Sequence, residues 1–163
     1  MIHLAKKIKT EESEVLEQVI NLLKEHPSVK TLFEKYKTPI KKIEDIDISF
    51  DDMDVSAKSK EGKITLNKNL LEGNNLVAAL HYIVHELVHV LQYHSGDLKD
   101  MKHYDDDHYL NNPYEIEAFK EQIRFIKKYK DQKAADEYTD QLLDFHGYKG
   151  NEKKKKLEQL MGV

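Results

Sequence analysis

The sequence contains no cysteine. Disulfides, cysteine-rich zinc fingers and thiol nucleophiles are therefore excluded, and any bound metal must be held by histidine and carboxylate. Proline and glycine are scarce, at 3 and 6 of 163 residues, which leaves little room for a flexible linker. There is no internal repeat. No stretch approaches the roughly 18 consecutive apolar residues of a membrane span, and the start of the chain has no apolar run of the kind a signal peptide needs. The chain is expected to be cytoplasmic. There is also no excess of positive charge: the formal net charge is -4 and the pI about 6.1, which argues against a nucleic-acid partner. What remains is one domain over residues 1–163, highly charged at its surface, and expected to be monomeric.

The informative stretch is Leu76 to Tyr93. Leu76, Val77, Leu80, Val84, Leu87, Val88 and Leu91 recur at three- and four-residue steps, which predicts a largely buried helix. Inside it lies His85-Glu86-Leu87-Val88-His89, the pattern HExxH. Histidines four apart stand one above the other on a helix, so both imidazoles can reach one metal ion. The glutamate beside them is then placed to act as general base on a metal-activated water. Buried without partners, the two histidines would be costly; the bland alternative is a pair of satisfied core histidines beside a solvent-facing glutamate. At this histidine and glutamate content, chance yields the pattern in roughly one such chain in twenty.

Around this helix the pattern predicts an α+β fold, mainly helical, with a small three-stranded antiparallel sheet before the HExxH helix. Helices are expected within residues 1–38, the sheet and catalytic core within 45–129, and further helices within 131–163. Thr10 is the expected cap of the first helix, which ends at His26-Pro27; Ser28 is the expected cap of a second, ended by Pro39. Alternation predicts strands at Ile46–Phe50, Met53–Lys58 and Ile64–Leu66, the last two joined by a turn at Glu61-Gly62. The acidic group Asp51, Asp52 and Asp54 lacks calcium-loop spacing and reads as a solvated turn. His94 to Leu110 reads as a long polar loop, of a kind that often lines sites. Asn112-Pro113 then starts a helix, and another runs from Asp131 to near Gly147. Lys153 to Lys156 read as a solvated helix face.

A catalytic zinc takes three protein ligands. His94 is five residues after His89 and points off the shared face. The segment Glu115-Ile116-Glu117-Ala118 offers two glutamates two residues apart, of which one helix face can present only one. Glu115 also sits where it could reach back to the helix cap at Asn112, so a capping role competes with ligation. His103 and His108 are rival third ligands. His81, one turn before His85, reads as a packed histidine.

HELVH followed some 25 residues later by a helix carrying ExEA resembles the gluzincin-type metallopeptidases, more narrowly the minimal-gluzincin and HtpX/Ste24-like arrangement, a layout shared by small intracellular or phage-encoded zincin-like proteins. The resemblance spans roughly Ile64 to Tyr129. It implies a zinc metallopeptidase with one Zn2+ per chain, held by His85, His89 and Glu115, hydrolysing peptide bonds with Glu86 as general base. It further implies a histidine or tyrosine that stabilises the oxyanion, with Tyr104, Tyr109, His103 and His108 as candidates. Its substrate is a peptide or protein that pairs with an edge strand, here expected at Ile64–Asn67. The alternative is a non-catalytic zinc-binding or protein-interaction module that keeps a peptidase-like fold.

Overall fold

The computed structural model describes residues 11–73, 75–96 and 106–162. The fold is α+β and mainly helical. Two helices open it, α1 (Glu11–Glu25) and α2 (Pro27–Lys35), followed by a 3-10 helix at Ile40–Asp45. The strands are β1 (Ile48–Asp51), β2 (Ala57–Lys60) and β3 (Lys63–Asn67). After a 3-10 turn at Lys68–Leu71 come a short helix α3 (Asn75–Ala78) and the central helix α4 (Leu80–Ser95). A 3-10 helix at Asp106–Asn111 leads into α5 (Pro113–Tyr129), then α6 (Gln132–Phe145) and α7 (Gly150–Met161).

The break between α1 and α2 falls at His26-Pro27, as the proline dictates. The cap of α2 is His26 rather than Ser28: His26 Nδ1 accepts from the Ser28 backbone N–H at 3.2 Å. Thr10 lies outside the described residues.

The sheet is mixed, not antiparallel. Its spatial order is β1-β3-β2: β3 runs parallel to β1 and antiparallel to β2. Glu61 and Gly62 turn the β2–β3 hairpin with φ of 52° and 80°, the paired positive φ of a tight two-residue turn that matches strand twist. A side chain at Gly62 would also collide with the ring of His94, 3.0 Å from where its Cβ would stand. The second strand begins at Ala57, not Met53, because the carbonyls of Met53 and Val55 accept from the side-chain amide of Asn67 (2.8 and 3.1 Å) instead of joining a ladder. The insertion of β3 between its two predecessors makes Ile64–Asn67 the central strand. It cannot be the edge that receives a peptide; the edges are β1 and β2.

Two cores meet at α5. On one side α1, α2, the sheet and α4 pack around Leu23, Phe33, Ile43, Leu66 and Leu87, with Ala118 and Phe125 contributed by α5. On the other, Phe119, Ile123 and Ile126 of α5 pack with Leu110, Ala135, Leu143 and Leu160. The α4 helix is buried continuously from Ile83 to Gln92, including His85, Glu86 and His89. It ends at Gly96, whose φ of 86° lets its N–H turn back to the carbonyls of Gln92 and Tyr93. Ala118, fully buried, keeps α5 close to α4. On α7, Lys153 is not merely solvated: it bridges Asp140 and Asp144 of α6 at 2.6 and 2.8 Å, and Lys156 donates to the Leu110 carbonyl at 2.8 Å. Among the described residues no helix is long and apolar enough to cross a membrane.

Candidate metal centre

The spacing in α4 stacks His85 over His89, and α5 brings Glu115 across from them. Asn112 caps α5 by accepting from the Tyr114 N–H at 2.9 Å, with Pro113 in the first turn. Capping therefore falls to Asn112, and Glu115, three residues on, turns inward and is buried. Its Oε1 lies 3.1 Å from His85 Nε2 and 2.8 Å from His89 Nε2, and those two nitrogens are 3.2 Å apart. His85, His89 and Glu115 are thus a buried group that could hold a metal ion.

The outer nitrogens decide what the inner ones carry. Gln92 donates its amide to the Tyr114 carbonyl (3.1 Å) and to Glu117 (2.8 Å), so its Oε1 faces His89 Nδ1 at 2.7 Å and must accept from it. Gln122 is held in the same way: its amide nitrogen meets His81 Nδ1 at 2.7 Å, and its Oε1 meets His85 Nδ1 at 2.9 Å. Both histidines therefore carry their proton on Nδ1, and both Nε2 lone pairs point at the Glu115 carboxylate. Three electron-pair donors facing one point in a dry interior require a positive charge between them.

Electrostatics agree. Burial alone would raise the Glu115 pKa, but the two imidazoles that face its carboxylate outweigh burial and hold it at about 2. Burial alone would lower His89, but the Glu115 carboxylate, with Glu86 nearby, raises it to about 9. Without a metal, a proton on His89 supplies the missing charge. Burial lowers His81 to about 4, which keeps its Nδ1 available as an acceptor for Gln122. His81 is therefore part of the bracing of His85, and more than a packed ring.

Glu86 stands apart from the trio. It is 7 % exposed, and its Oε2 is, among the described residues, a buried side-chain atom with no hydrogen-bond partner. Burial raises its pKa, an effect that the nearby histidines only oppose. An acceptor buried at such a cost beside a metal-competent cradle is what a base that receives a proton requires. The orphaned oxygen and the two-imidazole, one-carboxylate donor set both fit a divalent metal with an open coordination position.

Glu86 and His85 open onto a cleft of about 580 Å³. Tyr109 lines it and hydrogen-bonds Glu115; burial and that carboxylate raise its pKa, so the phenol stays protonated. Glu117 points away from the trio, as the two-residue spacing requires. It accepts from Lys35, Tyr36 and Gln92, and those bonds overcome burial to lower its pKa. His94 packs over the hairpin at Gly62. His103 and Tyr104 lie outside the described residues, as does the side chain of His108.

The sequence reading missed the two glutamines, although signals existed. Gln92 is one turn beyond His89, and Gln122 is two turns beyond Glu115 on the same face of α5. It also missed the part of α6 that walls the cleft. Compared with known proteins, the chain matches no family model, no curated protein and no solved structure.

Proposed function

We propose that this chain is a zinc metallopeptidase of gluzincin type, hydrolysing peptide bonds with Glu86 as general base. The observation that carries this reading is the pairing of two features: lone pairs of His85, His89 and Glu115 converging on one point, and the unpartnered oxygen of Glu86 beside them at the floor of an open cleft.

His85, His89 and Glu115 would hold one zinc per chain; zinc is preferred for its affinity for imidazole with carboxylate. When bound there, the metal supplies Lewis acidity, which acidifies water and draws charge from a carbonyl oxygen. The rest falls to the protein. Gln92 and Gln122 keep both imidazoles in one tautomer and orientation. Glu86 Oε2 takes the proton of the attacking water and returns it to the nitrogen of the departing amine; its raised pKa brings it nearer to the working pH, where such transfers are most efficient. Tyr109 keeps its proton and is the oxyanion-donor candidate whose side chain is described. A peptide would lie along β2, the outer strand next to the cleft, rather than along β3.

The test is elemental analysis with turnover assays. Wild type should hold about one zinc per chain, His85→Ala and Glu115→Gln should lose it, and Glu86→Gln should retain it while losing about a hundred- to ten-thousandfold in turnover. A zinc-loaded wild type that cuts no member of a diverse peptide library, or a Glu86→Gln variant that cuts as well as wild type, would defeat the reading. The first result would leave a non-catalytic zinc module.

A further inference from the structure

We propose that the cleft beside Glu86 selects an extended peptide by a large, uncharged apolar side chain seated against the C-terminal end of α6, with Phe145 as its outer wall. This rests on the peptidase reading and adds a substrate class to it.

The first argument is charge. Among the described residues fourteen line the cleft, and Glu86 is the one of these that is Asp, Glu, Lys or Arg. In a chain that is 34 % charged, about five such residues would fall among fourteen by chance, and depletion of charge is how surfaces that take up apolar groups differ from the rest. Among the described residues of the cleft, none is placed to neutralise a lysine or arginine except the base itself, and an acidic side chain would face Glu86.

The second argument is the wall. Phe145 is 86 % exposed, far more than the other large apolar side chains described, and Val55, 52 % exposed, lines the same cleft. A fully wetted phenylalanine at the end of a helix has no role in the core. It is the outermost member of a row of rings that leads inward: Phe145 meets His146 at 5.3 Å, His146 stacks on Tyr109 at 5.4 Å, Tyr109 meets Phe119 at 5.9 Å, and Phe119 meets His85 at 4.5 Å. An apolar side chain lying on this row is delivered to the ligand His85 and to Glu86.

The third argument is the backbone opposite. Ala57 lines the cleft and belongs to the outer strand β2. Ser56 accepts from the Asn67 N–H at 2.9 Å and so faces β3. By the alternation of an antiparallel ladder, Ala57 and Ser59 turn their N–H and C=O outward. That edge pairs with an extended segment whose side chains point alternately to either side, so one of them can face the α6 wall.

The test is binding to the zinc-loaded Glu86→Gln protein, followed by fluorescence anisotropy, using labelled pentapeptides Ala-Ala-X-Ala-Ala with X as Phe, Leu, Ala, Lys or Asp. Phe and Leu peptides should bind about ten- to a hundredfold more tightly than Ala, and Lys and Asp peptides no better than Ala. Phe145→Ala should remove most of the Phe preference at unchanged zinc content and melting temperature, and Phe145→Tyr should keep it. Equal binding of all five peptides, no binding of any, or an unaltered preference in Phe145→Ala overturns the proposal. The two readings fail separately. If the preference holds but wild type cuts none of the peptides, the cleft assignment stands and the peptidase reading falls. If wild type cuts all five equally well, the reverse is true.

Discussion

The metal cradle and the cleft beside it share the same helices and treat polar atoms in opposite ways. In the cradle, His85, His89 and Glu115 are buried and bonded, and the atoms behind them are bonded again: Gln122 to His81, Gln92 to Glu117, Glu117 to Lys35 and Tyr36. At the cleft, the buried Glu86 Oε2 has no partner among the described residues, and Phe145 stands in water. The first region is built to be rigid, since ligands held by a second layer need no reorganisation when a metal binds. The second keeps costs that folding does not offset, as is usual where a protein leaves groups for a reaction partner.

The largest expected effect tests the cleft side of this contrast. Glu86→Gln should cost a hundredfold or more in turnover, yet it should stabilise the fold. The raised pKa of Glu86 means that its contribution is favourable below its unfolded value of 4.5 and is lost as pH rises through the folded value, so the ionised group destabilises at neutral pH. Replacing it with a neutral isostere should raise stability by about 1 kcal/mol, read as a higher melting temperature. A variant that is both inactive and less stable would mean that Glu86 belongs to the cradle.

On the cradle side, Gln92→Leu and Gln122→Leu should each weaken metal affinity about ten- to a hundredfold, measured by competition with a chelator, because each frees a ligand ring to rotate or change tautomer. Affinities within twofold of wild type would show that the ring orientations do not depend on the glutamines.

How much of this was readable follows from what kind of pattern each part leaves. The HELVH pair was legible because ligand spacing and helix period coincide within five residues. Glu115 required a resemblance, since nothing local relates residue 85 to residue 115; the structure adds the 3.1 and 2.8 Å contacts. The strand arrangement was misread for a definite reason. Strands joined in sequence suggest a meander, and no side-chain pattern announces that β3 enters between β1 and β2 or that Asn67 occupies the carbonyls of residues 53 and 55. Gln92 and Gln122 look like ordinary polar helix residues until their neighbours are known. The wall at Phe145 was invisible because an apolar residue near a helix end reads as core.

Proton competition sharpens the contrast further. In the metal-free protein, Glu115 at about 2 lies below its ordinary 4.5, so its stabilisation is complete above about pH 4.5 and is lost as pH falls towards 2. His89 at about 9 lies above its ordinary 6.5, so its stabilisation is complete below about pH 6.5 and is lost as pH rises through 9. By these two groups the metal-free form should be most stable between about pH 4.5 and 6.5, and Glu86, whose contribution starts to be lost above 4.5, favours the acid end of that window. The metal must displace the His89 proton, so its apparent affinity should rise about tenfold per unit between pH 6.5 and 8.5. A flat affinity over that range would mean that His89 is already neutral without the metal.

The smallest effect comes from the outermost brace. Glu117 touches no ligand, yet it accepts from the Gln92 amide at 2.8 Å while α2 holds it through Lys35 and Tyr36. Glu117→Gln offers an oxygen of the same reach but loses the charge that Lys35 balances. Gln92 retains its second acceptor, the Tyr114 carbonyl at 3.1 Å, so its orientation should survive. Metal affinity should then fall only about two- to fivefold, and Gln92→Leu made in the Glu117→Gln background should cost little more than Gln92→Leu alone, because both act on His89 through the same amide. If the two losses instead multiply, Glu117 acts on the centre by a route other than Gln92, and its charge rather than its hydrogen bond is what the cradle uses.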